Sequence, residues 1–209
     1  MHDSIQITVS IVIPVYNGAK NISKLVYECF HTFEKHFDTE IVLINDCSVD
    51  DSYNACLSIH KMYPNKVTFL SLSKNFGEHN AVMAGLQHSS GDFVVTLDDD
   101  GQNPPQEAVN LINHAISENL DVVYSSYQEK KHPLIRNFFS WLNGKVANVM
   151  LNKPVGLYLS SFRSMSRFIV HEIIKYDLPY PYVDGLILRS TSKIGSFETK
   201  RIWTLFKLF

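Results

Sequence analysis

Phe93-Val94-Val95-Thr96-Leu97-Asp98-Asp99-Asp100 is an apolar, β-branched run that stops abruptly in three carboxylates. A run of this length without polar alternation reads as a strand buried on both faces, the kind found inside a parallel sheet. Its carboxyl end then lies at the lip of the sheet, where a few hard oxygen ligands plus substrate phosphates suit Mg²⁺ or Mn²⁺. Alternate strand residues point to opposite sides, so Asp98 and Asp100 project together and Asp99 points away. An acidic turn by itself is equally compatible with a solvated surface loop, and the surrounding sequence has to decide.

Further runs of the same character occur at Ile7 to Ile13, Ile41 to Ile44, Val67 to Leu72 and Val122 to Tyr124. Between them, apolar residues recur at helical spacing: Ile22, Leu25, Val26, Phe30 and Phe33; Ala81, Val82, Gly85 and Leu86; Ala108, Val109, Leu111, Ile112 and Ile116. Strand and helix therefore alternate, which predicts an α/β fold with a mostly parallel central sheet flanked by helices. In such a sheet ligands collect at the carboxyl ends of the strands.

The 209 residues, 45% hydrophobic and 19% charged, suffice for one continuous domain with a substantial core. A net charge of -2, from 19 Lys and Arg against 21 Asp and Glu, gives no bulk attraction to nucleic acid. Cys29, Cys47 and Cys56 form an odd set without metal-ligand spacing, which argues against a disulfide framework and points to a reducing, cytoplasmic setting. The polar stretch Met1 to Gln6 offers no apolar core for a signal peptide. Nor does any stretch of about 18 uninterrupted apolar residues suggest a spanning helix.

The pattern changes after residue 125, and we divide the domain there into a nucleotide-sugar half, 1–125, and an acceptor half, 126–209. Leu134 to Leu151 is apolar and helical in pattern. Phe138, Phe139 and Trp141 stand there beside Arg136 and behind Lys130-Lys131. Aromatic residues with flanking cations suit a helix lying in a lipid interface, which predicts peripheral contact at the inner face of a membrane; packing of the same helix on the sheet is the competing reading.

The strand ends deliver polar loops to one rim. Pro14-Val15-Tyr16-Asn17-Gly18 turns the chain after the first strand and leaves Tyr16 and Asn17 to meet a base or ribose. Asn45-Asp46-Cys47-Ser48 follows the second strand, and Asp46 is placed to accept from a base edge, with Asp50 and Ser52 capping the next helix. Ser73-Lys74-Asn75-Phe76-Gly77 follows the third, with Lys74 available to neutralise phosphate charge. Each loop is a weak signal; their order is a stronger one.

Together with Met83-Ala84-Gly85-Leu86 and Leu97-Asp98-Asp99-Asp100-Gly101-Gln102-Asn103-Pro104-Pro105, these segments closely resemble glycosyltransferase family 2, of GT-A fold. Within it they resemble the polyprenyl-phosphate glycosyltransferases, the dolichyl-phosphate mannose synthase group. The resemblance implies that Pro14, Tyr16, Asn17 and Asp46 contact the nucleoside, that Asp98 and Asp100 form the DxD motif on a Mg²⁺ or Mn²⁺ ion, and that Gln102 lines the same site. With Lys74 and Asp99 these make up the expected nucleotide-sugar set. The implied donor is a nucleoside diphosphate sugar, and the implied acceptor a lipid phosphate or a saccharide.

The chain departs from the pattern at Asn45 and Cys47, where Asp and Gly are usual, and at Ser160-Ser161-Phe162-Arg163, where the lipid-phosphate enzymes usually carry Gly-Asp-Phe-Arg. Lys200-Arg201-Ile202-Trp203 looks like a shortened closing segment. Arg163 remains for a phosphate. Asp184, in Tyr182-Val183-Asp184-Gly185, falls roughly where inverting enzymes of this fold keep a base, though it could simply cap a helix. Arg163 and Asp184 are thus the catalytic candidates. A nucleotide-binding protein without transfer activity and a nucleotidyltransferase are the alternatives.

Overall fold

The structure is a computed structural model that describes residues 6–127 and 157–200. The basic aromatic segment from Lys130 through Leu151, and the closing segment from Arg201 onward, fall outside the described residues.

The chain alternates strand and helix through its first half: β1 (Thr8–Val15), α1 (Ile22–Phe33), β2 (Asp38–Asn45), α2 (Ser52–Met62), β3 (Val67–Ser71), α3 (Glu78–Gln87), β4 (Phe93–Thr96), α4 (Pro105–Ser117) and β5 (Val122–Ser126). The second half adds β6 (Arg163–Ser166), α5 (Arg167–Ile173), α6 (Val183–Ser190) and β7 (Ile194–Glu198). All seven strands join one sheet in the order β3-β2-β1-β4-β6-β5-β7. The pairs β1 with β2, β1 with β4, β2 with β3 and β5 with β7 are parallel. β6 runs antiparallel to both of its neighbours.

The expected mostly parallel sheet is therefore present, with one addition. β5 does not lie beside β4; the short strand β6, returning from the second half, is inserted between them. Its sequence, Arg163-Ser164-Met165-Ser166, has no apolar run to announce a strand. Neighbouring strands on both sides complete its ladder and override the weak local preference.

Alternation along the strands divides the core into two layers. Ile11, Ile13, Ile41, Leu43 and Val95 pack beneath α1, α2 and α4, whose Leu25, Cys29, Phe33, Cys56 and Ile112 are buried there. Val12, Val42, Ile44 and Val94 face the other way, against Val82 and Leu86 of α3, Ile169 and Ile173 of α5, and Ile187 of α6. Cys29 and Cys56 are free thiols in this core and Cys47 is exposed.

Pro14 does not stop β1, as its ring would suggest; it pairs with Ile44. A central proline is tolerable here because the β1 to β4 ladder ends at the Val12 and Thr96 pair. The missing N–H, which would point to the β4 side, has no ladder partner to lose.

Candidate active site

The carboxyl ends of β1, β2, β3 and β4 bring Pro14, Tyr16, Asp46, Asp98 and Asp99 around a single cleft of about 250 Å³, closed on one side by Asn75, Gly77 and Glu78. A larger cleft of about 550 Å³ lies at the opposite, amino edge of the sheet, lined by Tyr27, Phe30, Phe37 and Tyr63. Ligands of an open α/β sheet bind at the carboxyl ends, and the acidic cluster lies there too.

Asp46, 4% exposed, shapes this cleft. The amides of Phe76 and Gly77 donate to its two carboxylate oxygens, each at 2.8 Å. One side chain from the β2 end thus fixes the loop after β3, through charge-assisted bonds stronger than neutral ones. Asn45 spans β2 and β3 by donating to Ser71 Oγ at 3.3 Å, and its Oδ1 accepts the Ser48 amide at 3.2 Å. Cys47 adopts φ 55°, a left-handed conformation that glycine takes at less cost, which is a physical reason for glycine at this place in similar sequences.

The three carboxylates after β4 have different partners. Asp98 Oδ2 accepts from Asn103 Nδ2 and from Ser161 Oγ, both at 3.1 Å. Asn103, 2% exposed, in turn accepts from the Tyr127 hydroxyl at 2.6 Å. Asp99 turns the other way and accepts the Tyr16 amide at 2.9 Å. Burial pushes the Asp99 carboxyl up to about 6, helped by Asp100 and Asp98 and opposed by that Tyr16 amide. Asp100 accepts the Gln102 amide of its own turn at 2.9 Å.

Among the described residues, no group of three His, Cys, Asp or Glu side chains converges to hold a metal. The residues suit the other kind of site, in which one or two carboxylates and the phosphates of a bound nucleotide share a Mg²⁺ or Mn²⁺ ion. Three adjacent carboxylates, one with its anionic form disfavoured by burial, give the rim the negative potential that such a cation answers.

Tyr16 and Asn17 are exposed at this rim. Asn17 ties two loops together: its amide donates to Ser48 Oγ at 3.0 Å and its Oδ1 accepts the Val49 amide at 3.0 Å. Lys74 is exposed, with its ammonium 4.9 Å from the Phe76 ring centroid. Lys74, Asp100 and Gln102 do not line the cleft itself.

Arg163 and Asp184 are brought together, but not as the sequence suggested. Arg163 is 1% exposed and Asp184 8% exposed, and the two form a buried ion pair. The Tyr124 hydroxyl also donates to Asp184 Oδ1, at 2.9 Å. Neither residue lines the cleft. An arginine expected to meet a ligand phosphate is instead directed inward, and the carboxylate read as a base or a helix cap secures the first turn of α6 to β5 and β6.

Sequence reasoning did not anticipate three contacts made by the carboxylates after β4. Asn103 and Ser161 hold Asp98, and no motif spacing signals such contacts. Gly18 is the third: a Cβ there would lie 2.3 Å from Asp99 Oδ2 and 2.9 Å from its Cγ. Gly18→Ala is therefore expected to push Asp99 off the Tyr16 amide. Loss of that bond should lower stability by about 1 kcal/mol and weaken nucleotide binding at the same time; thermal melts with and without a nucleoside diphosphate check both effects.

The chain matches the model of glycosyl transferase family 2 over residues 10–174. Two curated relatives are undecaprenyl-phosphate 4-deoxy-4-formamido-L-arabinose transferases. The protein of Shewanella sediminis is 34% identical over 170 residues, covering 80% of this chain and 49% of the relative. That of an Enterobacter species is 34% identical over 167 residues, covering 79% of this chain and 51% of the relative. The chain thus spans about half the length of the curated relatives it matches.

Among solved structures, glucosyl-3-phosphoglycerate synthase of Mycobacterium tuberculosis, in complex with Mn²⁺, uridine diphosphate and phosphoglyceric acid, superposes with a TM-score of 0.65 at 19% identity, over 95% of this chain and 72% of that one. A mannosyltransferase of Pyrobaculum calidifontis in complex with GDP-Man and Mn²⁺ gives 0.57 at 19% identity, over 80% and 47%. These likenesses establish the GT-A fold. With the family model covering most of the chain, from β1 to the end of α5, the protein belongs to glycosyl transferase family 2.

Proposed function

We propose that this chain transfers a sugar from a nucleoside diphosphate sugar to a polyprenyl phosphate. The observation that carries the reading is the convergence of Asp46 with Asp98 and Asp99, from two strand ends, on one cleft in a family 2 domain. The acceptor class rests on the two relatives, both named for undecaprenyl phosphate.

In this reading residues up to 125 bind the donor and the second half receives the acceptor. Tyr16 and Asn17 meet the nucleoside, Asp46 holds the wall of the cleft, and Asp98 and Asp100 hold a Mg²⁺ or Mn²⁺ ion with Gln102 beside them. The bound cation would supply Lewis-acid stabilisation of the departing diphosphate. Lys74, exposed on the loop after β3, would add positive charge to the same leaving group. An oxygen of the acceptor phosphate attacks the anomeric carbon while the bond from that carbon to the donor diphosphate breaks, and the nucleoside diphosphate departs with the electron pair. The acceptor oxygen is already ionised, so no side chain need remove a proton. A buried, paired Asp184 is compatible with that route.

A polyprenyl chain stays in a bilayer, so this cleft has to open towards a lipid surface. Leu178 and Tyr180, 64% and 88% exposed in the connection between α5 and α6, are side chains that such a surface would accept. Among the described residues no helix is long and apolar enough to cross a membrane.

The test is a panel of nucleoside diphosphate sugars incubated with Mn²⁺ and either polyprenyl phosphate in vesicles or soluble saccharides. Metal-dependent release of nucleoside diphosphate with a lipid-linked product is the expected result. Transfer to a saccharide with none to the lipid phosphate would overturn the acceptor assignment, and nucleotide binding without turnover would overturn the transferase assignment.

A further inference from the structure

We infer that Tyr182 is a positioning residue: its ring latches the donor-side loop 75–79 to the second half of the domain, and residue 185 is glycine because the ring rests there. The inference deepens the proposed function and rests on it for the identity of the ligand.

The latch has two ends. On the donor side, the Phe76 and Gly77 amides are held by Asp46, Glu78 lines the cleft, and His79 lies in the first turn of α3. The His79 imidazole meets the Tyr182 ring edge to face, with centroids 5.4 Å apart and planes at 87°. This is the favoured geometry for an aromatic pair. On the far side, Tyr182 immediately precedes α6. A Cβ on Gly185 would lie 2.6 Å from Tyr182 Cδ1 and 3.3 Å from Cε1. The next residue back, Asp184, is fixed by Tyr124 and Arg163. The ring is thus held by the start of α6, and that start is secured to the sheet.

Two further observations favour a positioning role over simple core packing. Tyr182 is 45% exposed, so burial alone does not explain an aromatic ring here. His79 Nδ1 is buried without a hydrogen-bond partner, a cost that native structures tolerate where a position has to be fixed. Among the described residues no hydrogen bond engages the Tyr182 hydroxyl. The ring, not the phenol, therefore carries the contact.

The experiment compares Tyr182→Phe, Tyr182→Ala and Gly185→Ala in the full chain. The probes are uridine diphosphate and guanosine diphosphate, each with Mn²⁺, titrated by calorimetry, together with amide hydrogen exchange in the absence of ligand. Tyr182→Phe should match the parent. Tyr182→Ala and Gly185→Ala should weaken binding by roughly two- to tenfold, the worth of an aromatic pair, and should speed exchange at Phe76 and Gly77. Alanine is the better helix former, so without the latch Gly185→Ala would be silent or stabilising. A double-mutant cycle with His79→Ala should be non-additive.

Unchanged exchange at Phe76 and Gly77 in both alanine variants would overturn the inference, as would a lowered melting temperature with nucleotide affinity intact. If the parent binds neither nucleotide, the donor reading fails instead, and the exchange arm still decides the latch.

Discussion

Asp100→Ala is expected to lower metal-dependent donor turnover on the order of a hundredfold or more while leaving the melting temperature nearly unchanged. The three carboxylates after β4 are not equivalent. Asp98 is held by Asn103 and Ser161, and Asp99 by the Tyr16 amide, so removing either disturbs the protein as well as any ligand. Asp100 accepts a bond from the Gln102 amide of its own turn and contributes little to packing. Its loss should therefore fall on the cation and the phosphates. Turnover as a function of Mn²⁺, with thermal melts alongside, checks this. An unchanged dependence of turnover on Mn²⁺, at limiting as well as saturating metal, would locate the cation elsewhere.

The donor side of the fold was legible because its signals are local. A strand buried on both faces has to be an apolar run, and Phe93 to Leu97 could hardly be anything else once three carboxylates ended it. The alternation expected to set Asp99 apart from Asp98 and Asp100 holds only for extended chain; β4 ends at Thr96, Asp99 and Asp100 lie in the turn that follows, and Asp98 and Asp99 are the pair that lines the cleft. The second half was less legible because its order comes from long-range pairing. Arg163-Ser164-Met165-Ser166 carries no strand pattern and becomes β6 only between β4 and β5. Arg163 beside a serine pair reads as a phosphate ligand until Asp184 and Tyr124, distant in sequence, are seen to close around it. Spacing along a chain cannot reveal which charge a buried charge will meet.

That buried pair also decides a question of chemistry. Asp184→Ala leaves the Arg163 guanidinium in the core without its counter-charge, and the expected loss is about 3–5 kcal/mol. In a domain of this size the melting temperature should fall by roughly 6–20 °C. Replacing both partners by apolar residues, Arg163→Met with Asp184→Leu, should recover most of that loss, because the penalty lies in the unpaired charge. Thermal melts of the two variants check the structural side.

Turnover per folded molecule checks the chemical side, with Asp184→Asn as the gentler change. If Asp184 removed a proton from an attacking hydroxyl, the amide would lower kcat by about two to four orders of magnitude even where the fold survived. A phosphate acceptor brings its own negative oxygen, so on the proposed route kcat of the folded fraction survives and the damage appears as instability. The separation of the two readouts, and not the loss of activity alone, distinguishes a carboxylate that supports the sheet from one that takes a proton.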